Sequence, residues 1–211
     1  TRTLSEFTSL FASSVIGALD TKMENALSAI TRFFRSCRPT ITPQEDGMPK
    51  FSFEITQSAA EVTLKEVFAY LKSKDCRVVV AIDEFQQVAE YPEKGVEALL
   101  RSEIQFLPNV RFVFAGSRKH MMEEMFVSPK RPFYQSTQIM SLREIPCDAY
   151  SDFAGRFFKE AGRRFSSDAF TYAYNRFEGI TWYVQAVMNR IWESGVDFVE
   201  RGLVDTAVDS L

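Results

Sequence analysis

Val78-Val79-Val80-Ala81-Ile82, followed at once by Asp83-Glu84, limits what this chain can fold into more than any other stretch. Five apolar residues run without polar alternation, and all but Ala81 are β-branched. Such a run predicts a strand buried on both faces, the usual state in a parallel sheet. The two acids then stand at its carboxyl end, where open α/β sheets hold their ligands. Carboxylates placed there suit a hydrated Mg²⁺ that carries a nucleotide's phosphates.

A chain of 211 residues can bury a sizeable core, as one domain or as one with a small second. The net charge is −3, so no overall basic field draws it to nucleic acid. Its 20 Phe predict a core dominated by aromatic packing. Cys37, Cys76 and Cys147 are odd in number, far apart and without metal-ligand spacing, and His120 is the only histidine. These features predict reduced thiols in a cytoplasmic protein. No apolar run approaches the length of a membrane span, and no signal-peptide pattern opens the chain. Thr1 is not Met and a helical pattern begins immediately, so the sequence reads as part of something longer.

Periodicity predicts amphipathic helices over about 5–19 and 23–35, with Ser5 as the first N-cap and Gly17 and Asp20 at the join. Pro39 and Pro43 exclude helix from the next stretch. Phe51, Phe53 and Ile55 alternate with polar residues, and Pro43-Gln44-Glu45-Asp46-Gly47 is turn chemistry. A β-hairpin inserted near 38–56 is expected. A helix follows over 63–72, with Thr63 and Glu66 in a capping-box pattern. After the central strand come a loop through Tyr91-Pro92, a helix over 96–107, and a second buried strand over 110–117. Arg118 opens a Met-rich helical turn, and 138–142 is a third, short strand candidate. From Cys147 the pattern becomes wholly helical, with Phe165-Ser166-Ser167-Asp168 as a capping stretch and Gly179 as a breaker. The expected boundary lies near Pro146, giving a core over 1–146 and a helical domain over 147–211.

Taken in order, these residues resemble a family. Val78 through Glu84 has the form of a Walker B element, and Phe112 through Ser117 looks like the next strand with a polar sensor residue at its end. Pro132-Phe133-Tyr134, a short strand, and then Glu178-Gly179-Ile180-Thr181-Trp182-Tyr183-Val184 within a helical lid are similar to the archaeal-type ATPases of the AAA+/STAND group. The resemblance implies an α/β fold: a three-layer P-loop NTPase core, incomplete at its N-terminus, followed by an all-helical lid. It implies ATP and Mg²⁺ as cofactors. Asp83 would coordinate Mg²⁺, Glu84 would polarise the attacking water, and Ser117 would sense the γ-phosphate. Arg118 and Arg131 would be charge-stabilising or nucleotide-binding arginines, and Trp182 with Tyr183 would flank the base.

The sequence departs from that family at three points. No Gly-Lys-Ser or Gly-Lys-Thr occurs, so the phosphate loop is missing. Gln135-Ser136 stands where Gly-Arg often follows the tyrosine, and Ile180-Thr181 where His-Pro is common. Without a phosphate loop's N–H groups and lysine, little neutralises the β- and γ-phosphates, so the isolated chain is expected not to turn over ATP. Each residue also has a plainer reading. Asp83 and Glu84 can be solvated acids after a strand, Ser117 a helix cap, Arg118 and Arg131 loop cations, and Trp182 lid core. Three functions stay open: an ATP-driven switch, a non-catalytic interaction module that keeps the NTPase fold, and a metal-dependent nuclease. The absent first strand would normally sit centrally, so a gap or an unpaired sheet edge is expected, covered either by rearranged pairing or by a homo-oligomer formed through that edge. Nucleic acid is expected only through segments that this sequence does not contain.

Overall fold

Phe7, Phe11 and Val15 fall on one side of a helix and are buried together, which makes α1 (Leu4–Leu19) the first layer of the core. Its N-cap is Thr3, whose Oγ1 accepts the Glu6 N–H at 3.2 Å, two residues before the expected Ser5. The computed structural model describes residues 1–20, 23–43 and 49–210, and the chain divides into two compact units, Thr1–Gln138 and Ile139–Leu211.

In the first unit α2 (Met23–Phe33) leads into an antiparallel hairpin of β1 (Arg38–Pro43) and β2 (Pro49–Glu54), with Ile41 opposite Phe51 and Pro39 opposite Phe53. The expected turn at 44–47 lies outside the described residues. Phe51 and Phe53 are buried, and Ser9 of α1 donates to the Phe53 carbonyl at 2.6 Å. Helix α3 (Ala60–Lys72) begins a turn before Thr63. Thr63 is therefore no cap: its Oγ1 donates back to the Ala59 carbonyl at 3.0 Å. The expected partner Glu66 instead accepts from the Arg35 N–H and from Ser36, at 3.2 and 2.6 Å. The donors that Glu66 meets come from the stretch after α2, distant in sequence, which a local capping-box pattern cannot register.

β3 (Val78–Ile82) and β4 (Val110–Phe114) pair in parallel, with Val80 opposite Phe112 and Ile82 opposite Phe114. The connection between them carries a 3₁₀ turn (Phe85–Glu90) and α4 (Val96–Ile104), and α5 (Lys119–Val127) follows. An α/β parallel unit is thus present as the spacing predicted. Burial on both faces is not. Val80 and Val110 point into the core, and Phe68 of α3 meets Phe112 with ring centres 6.4 Å apart. On the opposite face Val79 is 64% and Val113 52% exposed. An apolar run cannot report whether a second layer exists to cover it.

The third strand does not form either. Residues 138–146 have no regular structure, and Ile139, Met140 and Leu142 are exposed. The stretch 138–142 joins no strand ladder among the described residues, and without one its main-chain groups do not hold a strand. Asp20, expected to mark a join, is buried at the end of α1. It accepts from the Tyr70 hydroxyl and from Lys74 Nζ, the latter at 2.9 Å, and Lys74 lies over the Tyr70 ring at 4.4 Å. Burial first, and the Asp20 carboxylate second, push the Tyr70 phenol well above its ordinary value, so it stays a donor.

The second unit holds α6 (Cys147–Glu160), β5 (Arg164–Phe165), α7 (Ser167–Arg176), α8 (Thr181–Glu193), β6 (Phe198–Val199) and α9 (Arg201–Asp209). Its core is built on Phe170, Val184, Val187, Ile191 and Val204. It is not wholly helical: β5 and β6 form a short parallel pair, and the last helix starts after Val199, which is buried. Within the expected capping stretch 165–168 it is Ser166 that caps α7, accepting the Ala169 N–H at 3.1 Å. Gly179 takes a left-handed φ of 72°, and a Cβ there would fall 2.5 Å from the Tyr174 hydroxyl. Both facts explain why the chain breaks at a glycine. Among the described residues no helix is long and apolar enough to cross a membrane.

Candidate functional site

The carboxyl ends of β3 and β4 are tied together one step beyond the strands. The Ala115 N–H donates to the Ile82 carbonyl, and the Phe85 N–H to the Ala115 carbonyl, both at 2.9 Å. Phe85 is drawn into the core, where its ring centre lies 4.3 Å from that of Phe114 and 5.4 Å from that of Phe133. Glu84 must turn the chain between an exposed Asp83 and this buried ring, and it does so with φ 51° and ψ 41°. Left-handed backbone at a glutamate is uncommon, and it persists only where the surroundings enforce it.

That turn brings Glu84 back across the strand ends. Its Oε2 accepts from Ser117 Oγ at 3.0 Å and from Gln86 Nε2. The Gln86 amide first, then the Ser117 hydroxyl and at longer range Arg118, hold the Glu84 carboxyl below its ordinary value, so it is an anion. The Asp83 carboxylate takes the Glu84 N–H on Oδ1 at 2.9 Å and is otherwise exposed. Mg²⁺ is commonly bound by one or two carboxylates together with phosphate oxygens and water, so Asp83 fits that role. Among the described residues no group of three His, Cys, Asp or Glu side chains forms an all-protein metal cage.

Of the residues singled out in the sequence, Asp83, Glu84 and Ser117 come together here. Arg118 stands at the rim, paired with Glu90, with both side chains about half exposed. Such a pair contributes little to stability and leaves the arginine free to exchange partners. Arg131 is engaged elsewhere. Its guanidinium bridges Glu97 of α4 and Glu124 of α5, each at 2.8 Å, which fastens the loop that seats Phe133 in the core. Trp182 belongs to the second unit, 71% exposed on the first turn of α8 and edge-on to Tyr183. His120 is exposed on α5, while Met125 of the Met-rich segment is fully buried. Cys37, Cys76 and Cys147 are free thiols, and burial pushes the Cys37 thiol up to about 11.

Two buried polar residues, one at the site and one beside Arg131, were not singled out in the sequence. Gln86 is buried and touches Glu84 directly, yet a glutamine after two acids reads as a loop residue. Glu97 is buried too, although its place on α4, three residues from Leu100, is the one signal that it faces inward. Burial, ahead of the opposing pull of Arg131 and the added push of Glu124, raises the Glu97 carboxyl above its ordinary value. The folded state therefore binds this proton more tightly than the unfolded chain. Glu97 destabilises increasingly as pH rises from about 4.3 through its raised folded value. In Glu97→Gln that loss should vanish. Urea midpoints measured across that pH range should show the variant gaining on the wild type as pH rises, and parallel curves would refute the assignment.

No protein-family model matches the chain, and no curated protein matches its sequence.

Proposed function

We propose that this chain is the Walker B and sensor portion of an ATP-binding switch of the P-loop NTPase type, with a three-layer core and with the helical second unit as its lid. The observation that carries the reading is the Ser117–Glu84 hydrogen bond across the ends of two adjacent parallel strands, beside an exposed Asp83. In this reading Asp83 holds the Mg²⁺ that bridges the β- and γ-phosphates, Glu84 orients the attacking water, and Ser117 reports on the γ-phosphate. Mg²⁺ supplies charge neutralisation on the transferring phosphoryl group. Arg118, with its exposed surface pair, is the arginine free to meet a phosphate, whereas Arg131 holds its loop in place. The chain offers no Gly-Lys-Ser or Gly-Lys-Thr to cradle phosphates, so it binds ATP only together with such a loop. Turnover by the complete product of the gene should fall about a hundredfold or more in Glu84→Gln, with Asp83→Ala at least as severe. Unchanged turnover in both variants would sink the proposal.

A second reading is favoured by the uncovered face of Val79 and Val113 and by the unpaired stretch 138–146. Burying one valine contributes roughly 1.5 kcal/mol, so covering both is worth about 3 kcal/mol. In that reading the chain is an interaction module whose sheet edge pairs with another copy. Sedimentation of the purified chain should then give a dimer mass, and Val79→Glu should return it to a monomer. A wild-type monomer at all concentrations tested would remove this reading. A nuclease reading has less support, because Asp83 and Glu84 are joined by no further acid in a metal cage among the described residues.

A further inference from the structure

Gln86 is only 1% exposed, although it lies on the short 3₁₀ turn that begins beside the exposed strand ends. Its Nε2 donates to Glu84 Oε2, and its Oε1 is buried without a hydrogen-bond partner. A buried amide oxygen that lacks a donor is a cost a methionine or leucine of similar volume would not carry. Packing alone therefore does not account for glutamine at this position. Gly116 provides the room for it. A Cβ on Gly116 would fall 2.2 Å from Gln86 Oε1 and 2.7 Å from Met122 Sδ. Gly116 is not among the residues with positive φ, so what matters there is the missing side chain and not backbone freedom.

We infer that Gln86 is the positioning residue of Glu84: its amide, seated on Gly116, engages Glu84 Oε2 alongside Ser117 and leaves Oε1 as the unengaged oxygen. Within the nucleotide reading proposed above, on which this role rests, Oε1 is then the oxygen that faces the attacking water. The left-handed turn at Glu84 sets the direction of the side chain, and the Gln86 amide fixes its rotation. Ser117 alone cannot do this, because a single hydroxyl leaves the carboxylate free to swing about one contact. The orphaned Oε1 of Gln86 is the cost of keeping its Nε2 aimed at Glu84.

The test is nuclear magnetic resonance of the side-chain amides in this chain, which needs no nucleotide. One Gln86 Nε2 proton should resonate downfield of an ordinary glutamine amide and exchange slowly with solvent. Glu84→Ala should return it to ordinary position and fast exchange, while Asp83→Ala should leave it where it is. Gly116→Ala keeps every hydrogen-bonding group but fills the seat, and it should release the amide as Glu84→Ala does. Gln86→Met keeps the volume and removes the donor. In that variant the Glu84 side-chain couplings should move from those of one rotamer to averaged values, which a space-filling role for Gln86 would not cause. A Gln86 amide unmoved by Glu84→Ala overturns the inference, as do Glu84 couplings unchanged in Gln86→Met. Failure to bind Mg²⁺-ATP, by contrast, leaves these signals as they are and counts only against the nucleotide reading.

Discussion

Phe85→Ala is expected to cost the first unit about 4 kcal/mol, within the range for removing a fully buried phenylalanine. The ring is completely buried and sits at the centre of an aromatic group with Phe114, Phe126 and Phe133, its ring centre 4.3 to 5.9 Å from theirs. Removing it leaves a cavity that three rigid rings cannot close. It also frees the backbone at Phe85, whose N–H bond to Ala115 helps to hold Glu84 in its left-handed turn. Urea unfolding followed by a first-unit probe measures the loss. Phe106→Ala is the control: that ring is 63% exposed and its removal should change stability by no more than about 0.5 kcal/mol. Equal effects from the two variants would mean that the aromatic group is not the core it is taken to be.

Asp20→Ala should cost about 3 kcal/mol, because it strands the Tyr70 hydroxyl in the core and leaves the ammonium of Lys74 without its partner. Asp20→Asn keeps an acceptor and should cost clearly less. The double variant Asp20→Ala with Lys74→Met should recover part of the loss, since it removes the unpaired charge along with the acid. A double variant less stable than Asp20→Ala would show that Lys74 is held by its packing on Tyr70 rather than by the charge.

The helices, the hairpin and the two parallel strands were legible because each depends on local periodicity and on turn residues close in sequence. Two strands of a parallel sheet were expected from two short apolar runs separated by a helix, and the structure pairs Val78–Ile82 directly with Val110–Phe114. Features that depend on which layers are present were not legible. The run at Val78 reads as buried on both faces, yet Val79 is uncovered, because covering is a property of the neighbouring layer and not of the strand. The strand expected at 138–142 does not form: its residues have strand character, but local character does not decide whether a segment joins a ladder.

In the candidate site, Asp83, Glu84 and Ser117 could be named from the sequence because acids and small polar residues at strand ends carry a recognised meaning. Gln86 and Gly116 could not. Their roles come from a contact across two strands, and neither residue type signals burial. Arg131 shows the opposite limit. A basic loop residue reads as free, whereas Glu97, far from it in sequence, and Glu124 on the preceding helix already engage it.

The most direct test of the central claim is titration calorimetry with Mg²⁺-ATP, on this chain alone and on the complete product of its gene. Binding by the complete product, weakened by Asp83→Ala, is the expected result, with no binding by the chain alone, whose sequence offers no Gly-Lys-Ser or Gly-Lys-Thr. Absence of binding in both would contradict the nucleotide reading, and the uncovered sheet face would then become the feature that function has to explain.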